Sequence, residues 1–336
     1  MELPKDNAMY SVARQELVGD PESAPVLSAE FRLQVGGTEI TLRRAVERRY
    51  VDKVYGELTR PLAIVPPVSV EFGGEALVFP DNKARRVEIP VKSTTGKAAG
   101  EIHLEVPAGW KVEPASQKFD LAGADEQTMA AFTLWPPAGD SDAAMRAVAT
   151  VGDRAIASRT RVIDYPHFPA QTLFPASDAR LVRSDIKTLA HAVGYVTGAG
   201  DEVPDALRQM GCEVTLLSPE DLARGDLSKY DAIVTGVRAF NTRPDLRLNY
   251  QRLFKYAEEG GTLVVQYNTP DGGGPPGAAQ AAETSTLAHV GPYPIKTGRD
   301  RVTIEEAPVT FPNPNSVLLH SPNEITARDF AGWVQE

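Results

Sequence analysis

Polar and apolar residues alternate through much of the first half of the chain. In "FRLQVGGTEITL", Phe31, Leu33 and Val35 alternate with polar neighbours, Gly36 and Gly37 interrupt the pattern, and Ile40 and Leu42 resume it. Two period-two runs around a Gly-Gly step predict a β-hairpin. "RPLAIVPPVSVEF" then carries Pro61, Pro66 and Pro67. Proline removes a ladder donor, so this stretch marks an edge and a boundary. Residues 1–65 therefore read as a hairpin or partial β domain. From 66 to 165 short alternating runs recur: Val87, Ile89 and Val91; Ile102 and Leu104; Phe132 and Leu134. Turn-rich stretches such as "VPAGWKVEP" and "WPPAGDSD" separate them. Short strands at this spacing predict an immunoglobulin-like β-sandwich.

The pattern changes in the second half. "DYPHFPAQTLFPASD" contains Pro166, Pro169 and Pro175 with little periodicity, and residues 166–185 read as a linker. After it, "AVGYVT", "EVTLL", "DAIVTGV" and "TLVVQYN" are strand-like apolar runs. Between them Val203, Leu207 and Met210 fall on one helical face, as do Leu246, Tyr250, Leu253 and Ala257. Strands alternating with helices predict a parallel sheet covered on both sides. The expected fold class is thus multidomain, a β-sandwich followed by a flavodoxin-like, doubly wound α/β domain over 186–336. "TPDGGGPPGAAQAAETS" is too rich in Gly, Pro and Ala to pack and reads as a loop.

Ligands in open α/β sheets bind outside the carboxyl ends of the strands. The loops at 197–201, 236–241 and 266–269 qualify. Their polar residues Thr197, Asp201, Arg238, Asn241, Tyr267 and Asn268 form the candidate ligand-binding set. Arg238 suits a carboxylate or phosphate, and its bland role is a pair with a nearby acid. Asp201 has a bland role too, as cap of the helix after it. For a hydrolase the candidate catalytic groups are Asp201, Tyr267 and His289, the histidine delivered by the loop as a base. Gly198-Ala199-Gly200 is no dinucleotide fingerprint, because the third glycine position holds Val203. It is no P-loop either, because no Gly-Lys-Ser/Thr follows. No cofactor is expected.

Composition narrows these readings. With 336 residues, 42% hydrophobic and 24% charged, the chain is globular and long enough for two or three domains. A net charge of −10 argues against a nucleic-acid partner. No apolar run reaches the roughly 18–20 residues of a membrane span. The single cysteine, Cys212, excludes an internal disulfide and a thiolate metal cluster, and reads as a small buried residue. The five histidines (His103, His167, His191, His289 and His320) show no H-E-x-x-H or H-x-H spacing, so no metal site is expected. Arg238, Arg243, Arg247, Arg252 and Lys255 read as the solvated side of a helix. Trp110 and Trp135 are candidates for a sugar-stacking surface, with a core place as the alternative for Trp110.

The stretches "VGYVTGAGDEVPDALRQMGCEVTLLSPEDLARGDLSKYDAIVTGVRAFNTRPDL", "GGTLVVQYNTP" and "PYPIKTGRDRVTIEEAPV" resemble the C-terminal part of large bacterial PIG-L/LmbE-type deacetylases. That part is a class I glutamine-amidotransferase-like domain. The sandwich is similar to the NPCBM-associated modules of carbohydrate-active proteins. Two departures follow. The A-H-P-D-D-E zinc motif of the deacetylases is absent from Ala190-His191 and Ala288-His289. The amidotransferase cysteine is replaced by Gln266-Tyr267-Asn268-Thr269 after "TLVVQYN". The resemblance implies a non-catalytic accessory fragment that binds glycan or positions a small-molecule substrate for a catalytic domain elsewhere in the parent protein. It also implies an extracytoplasmic location and a domain that continues past Glu336. The rival reading is the hydrolase at the strand ends, and homo-oligomerisation is a third if a sheet edge is exposed.

Overall fold

The computed structural model describes residues 15–19, 24–74, 76–165, 168–269, 291, 293, 302–304 and 307–331. Gly36 and Gly37, with φ of 58° and 84°, turn strand β1 (Ser28–Val35) into β2 (Thr38–Ala45) as the Gly-Gly step predicts. The antiparallel register sets Phe31 opposite Leu42 and Leu33 opposite Ile40. A second hairpin pairs β3 (Glu47–Asp52) with β4 (Gly56–Pro61).

The expected sandwich is present. It is built from β5 (Val68–Val70), β6 (Ala76–Phe79), β7 (Arg85–Ser93), β8 (Ala98–Glu105), β9 (Lys111–Glu113), β10 (Gln117–Leu121), β11 (Gln127–Trp135), β12 (Ser141–Val151) and β13 (Arg154–Ile156). One sheet has the order β5-β7-β11-β9. The alternating positions meet in one core: Ile89 and Val91, Ile102 and Leu104, Phe132 and Leu134 are all buried. Inward-facing period-two residues from two sheets are what such a core requires.

The linker reading of 166–185 is corrected in part. A short pair, β14 (Arg161–Ile163) with β15 (Gln171–Leu173), crosses its start. Strand β16 (Asp178–Arg183) then enters the second sandwich sheet, whose order is β10-β8-β12-β16-β6, with β13 also on β12. It pairs antiparallel with β12 and parallel with β6. Its inward alternation rests on Ala179, Leu181 and the buried Arg183, too weak an apolar signal against the prolines before it. Arg183 donates from Nε to Asn82 Oδ1 at 2.8 Å.

Beyond β16 the strands become parallel. β17 (Ala192–Val196) leads into helix α1 (Val203–Gln209), β18 (Glu213–Leu216) into α2 (Pro219–Arg224), and β19 (Ala232–Thr235) into α3 (Ala239–Thr242) and α4 (Pro244–Glu258). β20 (Thr262–Val265) closes the order β18-β17-β19-β20, every pair parallel. Val203 and Leu207 of α1 pack on one face with Val193 and Tyr195. On the other face Leu222, Phe240, Leu246 and Leu253 bury Val196 and Ile233. A Ser218–Asp221 capping box starts α2. The arginines expected on a solvated helix side are used inward instead. Arg252 donates to the carbonyls of Leu222 and Gly225 at the end of α2, and Arg247 to those of Phe240 and Asn241 in α3. They satisfy helix-end acceptors that have no partner within the helix. Cys212 is buried as expected, its Sγ 3.3 Å from the Ala190 carbonyl. The Gly/Pro/Ala-rich stretch read as a loop lies outside the described residues from position 270. A short helix, α5 (Val317–His320), lies near the end of the described chain.

The sandwich and the parallel sheet meet at β6. The Gln209 side chain, at the end of α1, accepts from the Val78 amide at 2.7 Å and donates to the Ala76 carbonyl at 3.4 Å. Arg85 donates to the Gln209 carbonyl at 2.6 Å and to the Val78 carbonyl at 3.0 Å, with its guanidinium over the Phe79 ring. Arg85→Ala strands two carbonyls at this seam, and the expected loss is about 2 kcal/mol. Arg85→Lys restores only part of it, because both bonds leave the terminal Nη1 and the ammonium sits on a shorter arm without the guanidinium plane that lies over Phe79. Calorimetric melting of the three proteins checks this; an unchanged Arg85→Ala transition would remove the seam as a source of stability.

Candidate functional site

The carboxyl ends of β17, β19 and β20 come together through two close backbone approaches. At Gly198 a Cβ would overlap the Val237 carbonyl oxygen. At Gly236 it would sit 2.5 Å from Asp201 Oδ2, 2.8 Å from the Gly198 nitrogen and 2.9 Å from the Tyr195 hydroxyl. Glycine is needed at both places for space, because neither φ lies in the left-handed region. The loops after β17 and β19 can therefore join through the Ala199 amide and the Val237 carbonyl at 2.8 Å.

Asp201 occupies the gap between them. The expectation that it caps α1 is overturned: the N-cap is Glu202, which makes no side-chain cap bond. Asp201 Oδ1 instead accepts the Tyr195 hydroxyl at 2.5 Å, and Gln266 Nε2 donates to the same hydroxyl oxygen at 2.9 Å. Asp201 Oδ2 is buried without a hydrogen-bond partner among the described residues. Tyr195 is fully buried, and burial followed by the neighbouring carboxylate pushes its phenol well above the ordinary tyrosine range. The hydroxyl is therefore a fixed neutral donor and no acid or base at ordinary pH.

The remaining candidates lace the rim. Asn241 and Thr269 exchange reciprocal bonds, side-chain Nδ2 to the Thr269 carbonyl at 3.1 Å and Thr269 amide to Asn241 Oδ1 at 2.9 Å. Asn268 accepts the Phe240 amide at 3.1 Å and donates to the Gln266 carbonyl at 2.8 Å. Thr197 Oγ1 accepts from Arg243, whose guanidinium also forks onto Asp245 at 2.6 and 2.8 Å. That hydrogen-bonded pair raises the Arg243 pKa and lowers that of Asp245. Arg238 has φ 56°, and its amide donates to the Tyr267 carbonyl at 2.6 Å. Among the described residues no acid pairs with Arg238, and its Nε is buried without a partner. Tyr267 differs from the others: the residue is 62% exposed.

Thr197, Asp201, Arg238, Asn241, Tyr267 and Asn268 thus lie at one rim, and most are spent on holding it. Sequence reading missed Tyr195, Gln266 and Arg243. Tyr195 sat inside a strand-like run and Arg243 inside a presumed solvated face. His289 and His167 lie outside the described residues. His103 lies on β8, and His191 precedes β17 at the far end of the sheet, where its amide donates to Asp231. Trp110 is buried edge-on against Phe79 with Nε1 donating to Ser141, so its stacking role is withdrawn; Trp135 is half-buried. Among the described residues no group of three His, Cys, Asp or Glu side chains is placed to hold a metal ion, and no helix is long and apolar enough to cross a membrane.

No protein-family model matches the chain, and no curated protein matches it. Among solved structures it is similar in part to native alpha-2-macroglobulin from Escherichia coli, spanning domain MG7 to the C-terminus, at 12% identity and a TM-score of 0.24. That alignment covers 35% of this chain and 16% of the other. WR4, a C. elegans MSP family member, aligns at 8% identity and a TM-score of 0.20, over 35% of this chain and 98% of its own. A family 123 glycoside hydrolase from Clostridium perfringens aligns at 9% identity and a TM-score of 0.22, over 51% and 38%. Likenesses this slight carry no functional argument.

Two outcomes follow from the local geometry. Gly236→Ala must displace Asp201 or the Gly198 backbone, and Tyr195→Phe leaves a carboxylate oxygen without its donor. Each is expected to cost about 1–3 kcal/mol, read as a lowered thermal midpoint. The second concerns His320, whose Nδ1 faces Glu324 at 2.8 Å and whose Nε2 faces the Pro314 carbonyl at 2.7 Å. Two acceptors need two N–H donors, so the cation fits. The Glu324 and Pro314 hydrogen bonds raise its pKa above the ordinary histidine value. A raised folded pKa means that the clasp is complete below about pH 6.5 and is lost as pH rises through the folded value. An NMR titration of the His320 ring should show that elevation, and Glu324→Gln should reduce it.

Proposed function

We propose that the chain is an accessory region of a carbohydrate-active protein, a sandwich followed by a flavodoxin-like, amidotransferase-type α/β domain that holds a glycan without transforming it. The strand order supports the second half of that reading. Counted within the parallel sheet it runs second, first, third, fourth, with helices on both faces, the beginning of a flavodoxin-like arrangement. The sequence resemblance to PIG-L-type deacetylases agrees with a role beside a catalytic domain.

The exposed ring of Tyr267 on a locked loop carries the binding reading. Its carbonyl is held by the Arg238 amide, and its neighbour Asn268 is bonded on both sides. An aromatic ring offers an apolar face to sugar C–H groups, and a tyrosine adds a polar tip for a hydroxyl. Because the loop is already fixed, little backbone ordering is left to oppose binding. The acid–base groups of a hydrolase are less well served. Asp201 spends one oxygen on Tyr195 and has the other buried, and Tyr195 stays neutral.

A panel of soluble oligosaccharides, screened by calorimetry beside acyl esters and N-acetylated sugars, tests the reading. The expected result is binding without turnover, weakened by about 3–10-fold in Tyr267→Ala and retained in Tyr267→Phe. Turnover abolished by Asp201→Asn would replace this reading with the hydrolase. Glycan binding indifferent to Tyr267→Ala would move the site off the rim.

A further inference from the structure

The N-terminal hairpin presents an apolar face that no described residue covers. Alternation and register place Phe31, Leu33, Val35, Ile40 and Leu42 on one side of β1 and β2, each 41–58% exposed. Neither strand pairs with any other described strand. A two-stranded hairpin alone is marginal in water, and an uncovered apolar sheet face is rare on a soluble monomer. At its base, beyond Ala45, lies a groove of ≈ 310 Å³ with a mixed polar and apolar lining that includes Val26, Leu62, Ile64 and Phe174.

We propose that this face is the contact surface of a homodimer, packed on the same face of a second copy about a two-fold axis. Three observations favour a second copy. An antiparallel hairpin whose apolar pairs Phe31–Leu42 and Leu33–Ile40 flank its midline is self-complementary under a two-fold rotation, which an isologous interface demands. The area is sufficient. The exposed parts of Phe31, Leu33, Val35, Ile40 and Leu42 amount to about 300 Å² of apolar surface. Interfaces are about 60% apolar, so this corresponds to about 500 Å² per partner, or about 1,000 Å² in total, the lower end of specific interfaces and in keeping with micromolar association.

Charge points the same way. Residues 24–65 hold seven basic and five acidic side chains, net +2, whereas the whole chain carries −10, which leaves −12 for the rest. A contact between copies made elsewhere draws on the part of the chain that carries this net negative charge. The hairpin face avoids that, and its polar side is already neutralised by Glu30 between Arg32 and Arg43.

Cysteine cross-linking with sedimentation tests the arrangement on the whole chain. The native Cys212 is 8% exposed and its thiol is pushed up by burial, so it contributes little background. The unmodified protein should sediment as a concentration-dependent dimer in the micromolar range. Leu33→Cys, on the apolar face, should form a covalent dimer on mild oxidation, and Gln34→Cys, on the opposite side of the strand, should not. Leu33→Asp with Leu42→Asp should give a monomer whose melting transition is retained, since both positions are already exposed. A monomer throughout that range overturns the proposal, as does equal cross-linking at 33 and 34, or a dimer that survives the double aspartate variant.

Discussion

The edge of β6 decides how the two halves of this chain sit together. An edge strand presents unpaired amides and carbonyls that must be met by something. On its inner side β6 is paired by β16, a strand about a hundred residues later in sequence. On its outer side there is no strand among the described residues, and Gln209 at the end of α1 supplies one acceptor and one donor in its place. Arg85 then bonds the last carbonyl of that helix and the Val78 carbonyl together. One helix end thus closes a sheet edge, and the sheet closes the helix end. Both bonds leave one nitrogen, Nη1, at the end of the long arginine side chain, while the plane of the guanidinium lies over the Phe79 ring.

From that seam outward the order of construction is set by what cannot be moved. α1 is seven residues long and fixed at its C-terminal end by the sandwich. Its N-terminal end begins three residues after Gly200, so the loop containing Gly198 and Asp201 is held between a fixed helix and the end of β17. Gly236 lets the β19 loop come against it, and Tyr195, Asp201 and Gln266 bridge the ends of β17 and β20 beside it. The rim is therefore rigid for reasons that begin at the other end of α1. Rigidity of that kind suits a platform that holds Tyr267 outward better than it suits a catalytic group that must exchange protons with a substrate.

How much of this was legible in the sequence follows from the range of the interactions. Period-two alternation identified the hairpin and the sandwich, because Ile89, Val91, Phe132 and Leu134 declare their buried face within a few residues. Strand–helix alternation located the parallel sheet for the same reason. Asp178–Arg183 escaped notice since only Ala179 and Leu181 carry an apolar signal, and its partners lie about thirty and a hundred residues earlier. The rim was found by the rule that loops follow strands, but its wiring was not. Tyr195 looks like any strand aromatic until Asp201, 6 residues on, and Gln266, 71 residues on, meet at its hydroxyl. The arginines of α4 looked solvated because sequence shows the charge and hides the carbonyls of α2 and α3 that receive it.

Arg183 carries the same lesson into the sandwich. It points inward at 5% exposure, with Asn82 the one side chain bonded to it and Nη1 without a partner among the described residues. A buried guanidinium so thinly served is costly, and an apolar side chain would suit the core better. Its bond to Asn82, however, pins the turn between β6 and β7, and the residue that follows that turn is Arg85. The Ser184 amide bonded to the Phe79 carbonyl, and the Ile186 amide to that of Pro80, hold the same turn from β16's far end. The cost in the core is thereby coupled to the geometry at the seam: a turn left free to shift would carry Arg85 away from Gln209, and with it the fixed end of α1 on which the rim depends.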